Sequence, residues 1–196
     1  MTDNCGFDIE NLKARYPGKF ADEKEIFGRI NRGDRIFIGT ACGEPQYLAG
    51  ALIRFVDENP KAFFDAEGFQ VWSLGIAPYT DEKFKSNFRH NSFFIGDTTR
   101  DRVNQGMADY TPIFLSQVPD LLRRSLITID VAMVQASPPD DHGYMSLGVS
   151  VDITKAAFES APLRIVQLNP RMPRVHGDTF INARDVDFMV SRDEPL

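Results

Sequence analysis

The sequence is poor in the residues that build cross-links and metal sites. It has only two cysteines, Cys5 and Cys42, far apart in the chain. That excludes a disulfide framework and any zinc-type Cys spacing, and points to a reducing cytoplasm. His90, His142 and His176 are scattered, with no partner at ligand spacing, so no metal site is expected and each histidine reads as a turn or surface residue. No apolar run approaches the ~20 residues of a membrane span. The polar, acidic start MTDNCGFDIE lacks the signal-peptide pattern. Positive charge is also short: Lys and Arg number 22 against 28 Asp and Glu, a net charge of -6. A nucleic-acid surface is therefore not expected, although a local basic pocket for a small phosphorylated ligand remains compatible. There is no G-x-S-x-G elbow, no internal repeat and no low-complexity tract.

What is present is the composition of a globular domain, 196 residues with 42% hydrophobic and 26% charged side chains. Sixteen phenylalanines are many for this length. Some are expected to pack against a partner domain outside the chain. The most informative stretch is Ser137 to Asp152 (SPPDDHGYMSLGVSVD), preceded by the apolar run Ile129 to Ala136 (IDVAMVQA). Such a run suits a strand buried on both faces. Two prolines end it, because proline has no N–H to donate to a ladder. The polar turn Asp140 to Gly143 follows. Asp152 then reads as the N-cap of a helix running to Ala161.

The same grammar recurs along the chain. A short helical pattern stops at Pro17-Gly18, and Glu23 to Ile30 reads as an amphipathic helix. Arg35 to Ile38 is a strand, Gly39 to Pro45 (GTACGEP) a tight loop, and Tyr47, Leu48, Ala51, Leu52 and Phe55 share one helical face. Further strands are expected at Phe69 to Leu74 and Phe93 to Ile95, with a loop at Gly75 to Thr80 between them. A helix capped by Asp97, with Val103 and Met107 inward, is expected to end at Gly106. Asp109 to Pro112 reads as an edge segment, and Val118 to Ser125 as a helix with Pro119 in its first turn. Leu163 to Leu168 and Val186 to Val190 complete the strands. Strands alternating with helices predict an α/β fold: an open, mostly parallel sheet with helices on both faces. Core strands emptying into glycine- and proline-marked loops are where such sheets hold ligands.

Gly39 to Pro45 lacks the third glycine of a dinucleotide loop and the lysine of a P-loop. Its glycines are as well explained by a sharp turn as by phosphate binding. Cys42 reads as a small space-filling residue rather than a nucleophile. Asp140-Asp141 reads as solvated turn chemistry, and Arg171 and Arg174 as surface charge.

Four segments resemble the acetyl-CoA hydrolase/transferase family, which includes 4-hydroxybutyrate and acetate CoA-transferases. They are Ile38 to Pro45 (IGTACGEP), Phe93 to Pro112 (FFIGDTTRDRVNQGMADYTP), Asp130 to Asp152 and Asn169 to Phe180 (NPRMPRVHGDTF), in the family's order. The resemblance covers about residues 30 to 195. It implies a ping-pong reaction by covalent catalysis. A glutamate carboxylate attacks the acyl-CoA thioester, giving a mixed anhydride and CoA thiolate. The thiolate returns to give an enzyme glutamyl-CoA thioester, which the acceptor carboxylate opens. The family's glutamate lies in a second, C-terminal domain. This chain is therefore expected to be a single N-terminal domain, residues 1–196, inactive alone. It would form one wall of the cleft for acyl-CoA and a small carboxylate, with its own C-terminal domain as partner. Coenzyme A enters as substrate and no cofactor is expected; a homodimer is one assembly the resemblance allows. The wall residues it implies are Gly39, Gly43, Glu44, Pro138, Pro139, His142, Gly143, Tyr144 and Asn169. A non-catalytic CoA-ester binding or scaffold module is the alternative, and a sugar-phosphate isomerase-like fold relative a weaker third.

Overall fold

The computed structural model describes residues 8–74 and 77–196, the side chain of Pro78 excepted. Cys5 and the Gly75-Ile76 part of the expected loop lie outside the described residues. Seven parallel strands form the main sheet: β1 (Arg35–Ile38), β2 (Ala66–Gln70), β3 (Phe88–Ser92), β4 (Ala108–Tyr110), β5 (Val131–Ala136), β7 (Leu163–Leu168) and β9 (Phe188–Ser191). Their order is β4-β3-β2-β1-β5-β7-β9. A separate antiparallel pair, β6 (Tyr144–Ser146) and β8 (Phe180–Asn182), leaves this sheet. The helices are α1 (Ile9–Arg15), α2 (Glu23–Phe27), α3 (Gln46–Glu58), α4 (Asp97–Asn104), α5 (Val118–Arg123) and α6 (Thr154–Ser160).

The apolar run before the Pro-Pro pair becomes β5, and all six of its residues are buried. Successive side chains on a strand alternate faces, so β5 feeds two cores. Val131 and Met133 join Ile36, Ile38 and Ile165 under Leu48, Leu52 and Val56 of α3 and Ile26 and Phe27 of α2. Ala132 and Val134 join Phe37, Phe69 and Val166 under Val118 and Leu122 of α5 and Ala157 and Phe158 of α6. Helices thus cover both faces, as the sequence predicts. Each large side chain removed from water contributes ~1.5–3 kcal/mol.

Two strands are displaced from their expected places. The strand expected at Phe69 to Leu74 runs over Ala66–Gln70, and that expected at Phe93 to Ile95 runs over Phe88–Ser92. Local apolarity misplaces both, because ladder partners decide strand bounds. Glu67 pairs with Arg89, and His90 with Ala108, in register. The apolar residues Trp72 and Phe94 fall beyond the strand ends and stand exposed. The β6–β8 pair was not foreseen, since three-residue strands carry little periodicity. At α4, Gly96 rather than Asp97 is the cap position, and Thr99 is the buried residue while Val103 and Met107 are only half-buried. Gly106 ends that segment with φ +73°. At α6 the cap position is Ile153 rather than Asp152, with no side-chain cap bond, and the Asp152 carboxylate accepts the Thr154 N–H at 3.2 Å from one residue before it.

His90 corrects the expectation of a surface histidine. It is buried in β3 under the Tyr79 ring, with centroids 5.0 Å apart. Its Nε2 lies 2.8 Å from Ser92 Oγ, and its Nδ1 has no partner among the described residues. Burial lowers its pKa to about 4, because the charged ring would lose its hydration. The unfolded chain therefore takes up a proton near pH 6.5 that the fold takes up only near 4. The His90 contribution to stability is full above about pH 6.5 and falls by about 3 kcal/mol as pH drops to 4. Urea unfolding across this window should show the slope, and His90→Gln should flatten it.

Candidate functional site

Strands β1 to β4 step outward in one direction, while β5, β7 and β9 step outward in the other. The order reverses between β1 and β5, and a crevice opens at the carboxyl ends of strands at such a switch point. The loop Gly39 to Pro45 leaves β1 at this place, and Ser137 onward leaves β5 beside it.

The first loop and the start of α3 are held together from three strands. Gly39 donates its N–H to Met133 O at 2.8 Å, and its carbonyl accepts from Gln70 Nε2 of β2 at 2.9 Å. Glu44 O accepts from Gln135 Nε2 of β5 at 3.1 Å. Gln167 Oε1 of β7 accepts the Leu48 N–H of α3 at 3.1 Å. No side chain caps α3 at Pro45, so Gln167 satisfies one of the donors that a helix N-terminus leaves open. Asn169 Nδ2 extends the network, donating to Gln135 Oε1 at 2.7 Å and to Glu194 O at 2.8 Å. A Cβ on Gly39 would stand 2.9 Å from Gly43 O, and one on Gly43 only 2.6 Å from Ser150 Cβ. These glycines serve close packing within the chain, and Gly43 is closed over by Ser150. Cys42, between them, is exposed rather than filling space.

Glu44 is 2% exposed. Its carboxylate accepts from Ser73 Oγ at 3.1 Å and from the Leu74 N–H at 3.2 Å. The strand-to-loop segment after β2 is thereby tied to the loop after β1, and Ala41 N donates to Trp72 O at 2.9 Å as a second tie. Burial pushes the Tyr79 phenol well above its ordinary value, and the Glu44 carboxylate pushes it further. Tyr79 stays a neutral hydroxyl, donating to Gln70 Oε1 at 2.5 Å.

The second loop divides. Pro138 and Pro139 are half-buried just past β5. Beyond them the chain turns about Asp140, whose Oδ1 accepts the N–H groups of His142 at 2.9 Å and Tyr144 at 2.8 Å. Burial alone would raise the Asp140 pKa, but these two donors and the Arg174 guanidinium hold it below the usual carboxylate value. Arg174 Nη2 reaches its other oxygen at 2.6 Å. Arg15 of α1 donates to the carbonyls of Asp140 and Asp141. Gly143 has φ +88°, and a Cβ there would meet the Tyr16 hydroxyl at 3.0 Å. Exposed Tyr144 packs edge-on to Phe180 of β8. The structure therefore joins Gly39, Glu44 and Asn169 through Gln70 and Gln135, while Gly43 is closed over by Ser150. It carries His142, Gly143 and Tyr144 onto α1 and β8 instead. Ser150 meets the first loop at Gly43.

Gln70, Gln135, Gln167 and Ser73 were missed by sequence reasoning. The available signal was one glutamine at or next to the end of each of three apolar strands (GFQ, VAMVQA, LRIVQL).

The chain matches the acetyl-CoA hydrolase/transferase N-terminal domain model over residues 5–196. It belongs to this family. It is 40% identical over 92% of its length to 4-hydroxybutyrate coenzyme A transferase of Clostridium kluyveri, covering 41% of that protein. It is 34% identical over 94% of its length to a succinyl-CoA:acetate/propanoyl-CoA:succinate CoA transferase of Fasciola hepatica, covering 38%. Among solved structures it resembles RipA from Yersinia pestis, with TM-score 0.84 and 28% identity, over 97% of this chain and 45% of that one. The CoA-transferase-family domain thus spans about two fifths of the length of the curated relatives it matches.

The Gly43–Ser150 contact supplies a test of how the two loops meet. Gly43→Ala should destabilise by about 1–3 kcal/mol through overpacking. Adding Ser150→Gly, which removes the opposing Cβ, should recover most of that loss in a double-mutant cycle read by urea unfolding.

Proposed function

We propose that this domain is the N-terminal half of an acyl-CoA:carboxylate CoA-transferase, or of an acyl-CoA hydrolase when water replaces the acceptor. It forms one wall of the cleft, and the attacking glutamate comes from a C-terminal domain outside this chain. The observation that carries the reading is the clamped loop Gly39 to Glu44 at the switch point, beside the loop after β5.

In this reading Glu44 is a positioning residue and not the nucleophile. An attacking carboxylate must reach a thioester carbonyl, whereas Glu44 is sealed under Ser73 and Leu74. Gly39, Gly43 and Asn169 hold the wall's shape. Pro138 and Pro139 stiffen it by removing two backbone donors and fixing φ. His142, Gly143 and Tyr144 offer a polar rim, set by Asp140. A rigid, partly dry wall contributes to transfer by keeping water from the anhydride and thioester intermediates. The names of both curated relatives, which are CoA-transferases, support the reading.

The full-length protein, given acetyl-CoA, should accumulate an enzyme–CoA thioester that borohydride reduces, located by mass spectrometry on a glutamate outside residues 1–196. The isolated chain should show no CoA exchange between acetyl-CoA and a short carboxylate. Turnover by the isolated chain would overturn the half-cleft reading. Absence of a trappable thioester in the full-length protein would favour a CoA-ester binding module instead.

A further inference from the structure

Tyr79 lies beyond β2, in the short turn Pro78–Thr80. It is only 3% exposed, with its ring against His90 and within the core under α3. The single hydroxyl on that ring reaches both anchors of the first loop. It donates to Gln70 Oε1 at 2.5 Å, and the same amide donates from Nε2 to Gly39 O at 2.9 Å. Ser73, whose hydroxyl donates to the Glu44 carboxylate at 3.1 Å, is also a hydrogen-bond partner of the phenol. Gly39 and Glu44 are thus tied back to one buried oxygen. The direction of the Gln70 amide follows from it. Turned end for end, the amide would set Oε1 against the Gly39 carbonyl, two acceptors with no proton between them. The Tyr79 proton on the Oε1 side holds it the other way round.

What this arrangement fixes is a strained turn. Ala41 has φ +51°, a left-handed conformation that a non-glycine residue keeps only where its surroundings over-determine it. Thr40 before it is buried and Cys42 after it is exposed, so this turn is the part of the loop that faces outward at the switch point. Backbone strain of this kind gathers at ligand sites. We propose that the Tyr79 hydroxyl is a positioning residue for the transfer reaction. It acts through Gln70 on the Gly39 carbonyl and holds the turn at Ala41 and Cys42 in the geometry that receives the thioester. The inference rests on the transfer reading above and deepens it. Tyr79 itself is sealed in the core and touches no substrate. Its effect falls on the barrier rather than on affinity, because a slightly displaced wall still binds substrate but misaligns the attack.

The test is steady-state CoA transfer between acetyl-CoA and a short carboxylate by the full-length protein and its Tyr79→Phe variant. The substitution keeps the ring and removes the hydroxyl. kcat should fall about tenfold, with both KM values within about twofold of the parent. Gln70→Met should give the same split. Adding Tyr79→Phe to it should lower kcat no further, since both changes cut one path. Ile26→Val, a core loss in α2 away from the loop, should leave kcat unchanged and so separates positioning from destabilisation. Loop geometry is read independently of turnover by iodoacetamide labelling of exposed Cys42, followed by peptide mass spectrometry. Tyr79→Phe should speed that labelling about threefold by loosening the turn. In an active protein, an unchanged kcat, a loss confined to KM or full additivity with Gln70→Met would overturn the proposal. A parent protein with no trappable thioester removes the transfer reading, and the labelling rates then decide the hydroxyl's hold on the loop. Equal Cys42 rates would sink it, and faster labelling in the variant leaves it standing.

Discussion

Three glutamines, on β2, β5 and β7, hold the loop after β1 and the start of α3 in place. Gln70, Gln135 and Gln167 all lie buried, and each gives or takes a hydrogen bond at backbone atoms between Gly39 and Leu48. A buried amide left without its partner costs about 1–3 kcal/mol, more than a satisfied bond contributes. The arrangement is therefore close to all-or-none, because the loop, the helix start and the strand ends must form together. The cross-bonds among Gln135, Gln167 and Asn169 extend the same constraint to the carboxyl end of β7.

This clamp explains why the candidate wall is made of residues that are individually unremarkable. The charged member, Glu44, is spent on Ser73 and Leu74. It joins the ends of β1 and β2 where backbone pairing has stopped. Its negative charge is compensated by hydroxyl and amide donors, and the neighbouring phenol remains protonated under burial and that same field.

The second loop is governed by a different device. Asp140 gathers two N–H groups and one guanidinium, and Arg15 arrives from a helix 125 positions away in sequence. The turn is consequently fastened to α1 and to the β6–β8 pair. Exposed Trp72 lies on the other flank, against Gly96 at the start of α4. The two flanks place polar and apolar surface on opposite sides of the clamped loop.

Much of this was legible from the chain itself. The apolar run before Pro138, the glycine loop after Arg35 to Ile38 and the facing apolar stripe of α3 determined a parallel α/β sheet with helices on both sides. These signals are local: hydrophobic period, turn chemistry and missing N–H groups act within a few residues. The motif runs likewise carried the family resemblance. Register and partnership were decided only by the tertiary structure. The bounds of β2 and β3, the burial of His90 and the closure of Gly43 by Ser150 all depend on atoms distant in sequence. So does the course of the second loop, because a loop's path is set by what it finds to bond, and Asp140 finds Arg174 and Arg15. The glutamines mark the boundary between the two kinds of knowledge. Their places at strand ends could be read in the sequence, but three amides on one face converging on one loop required the sheet order that only folding provides.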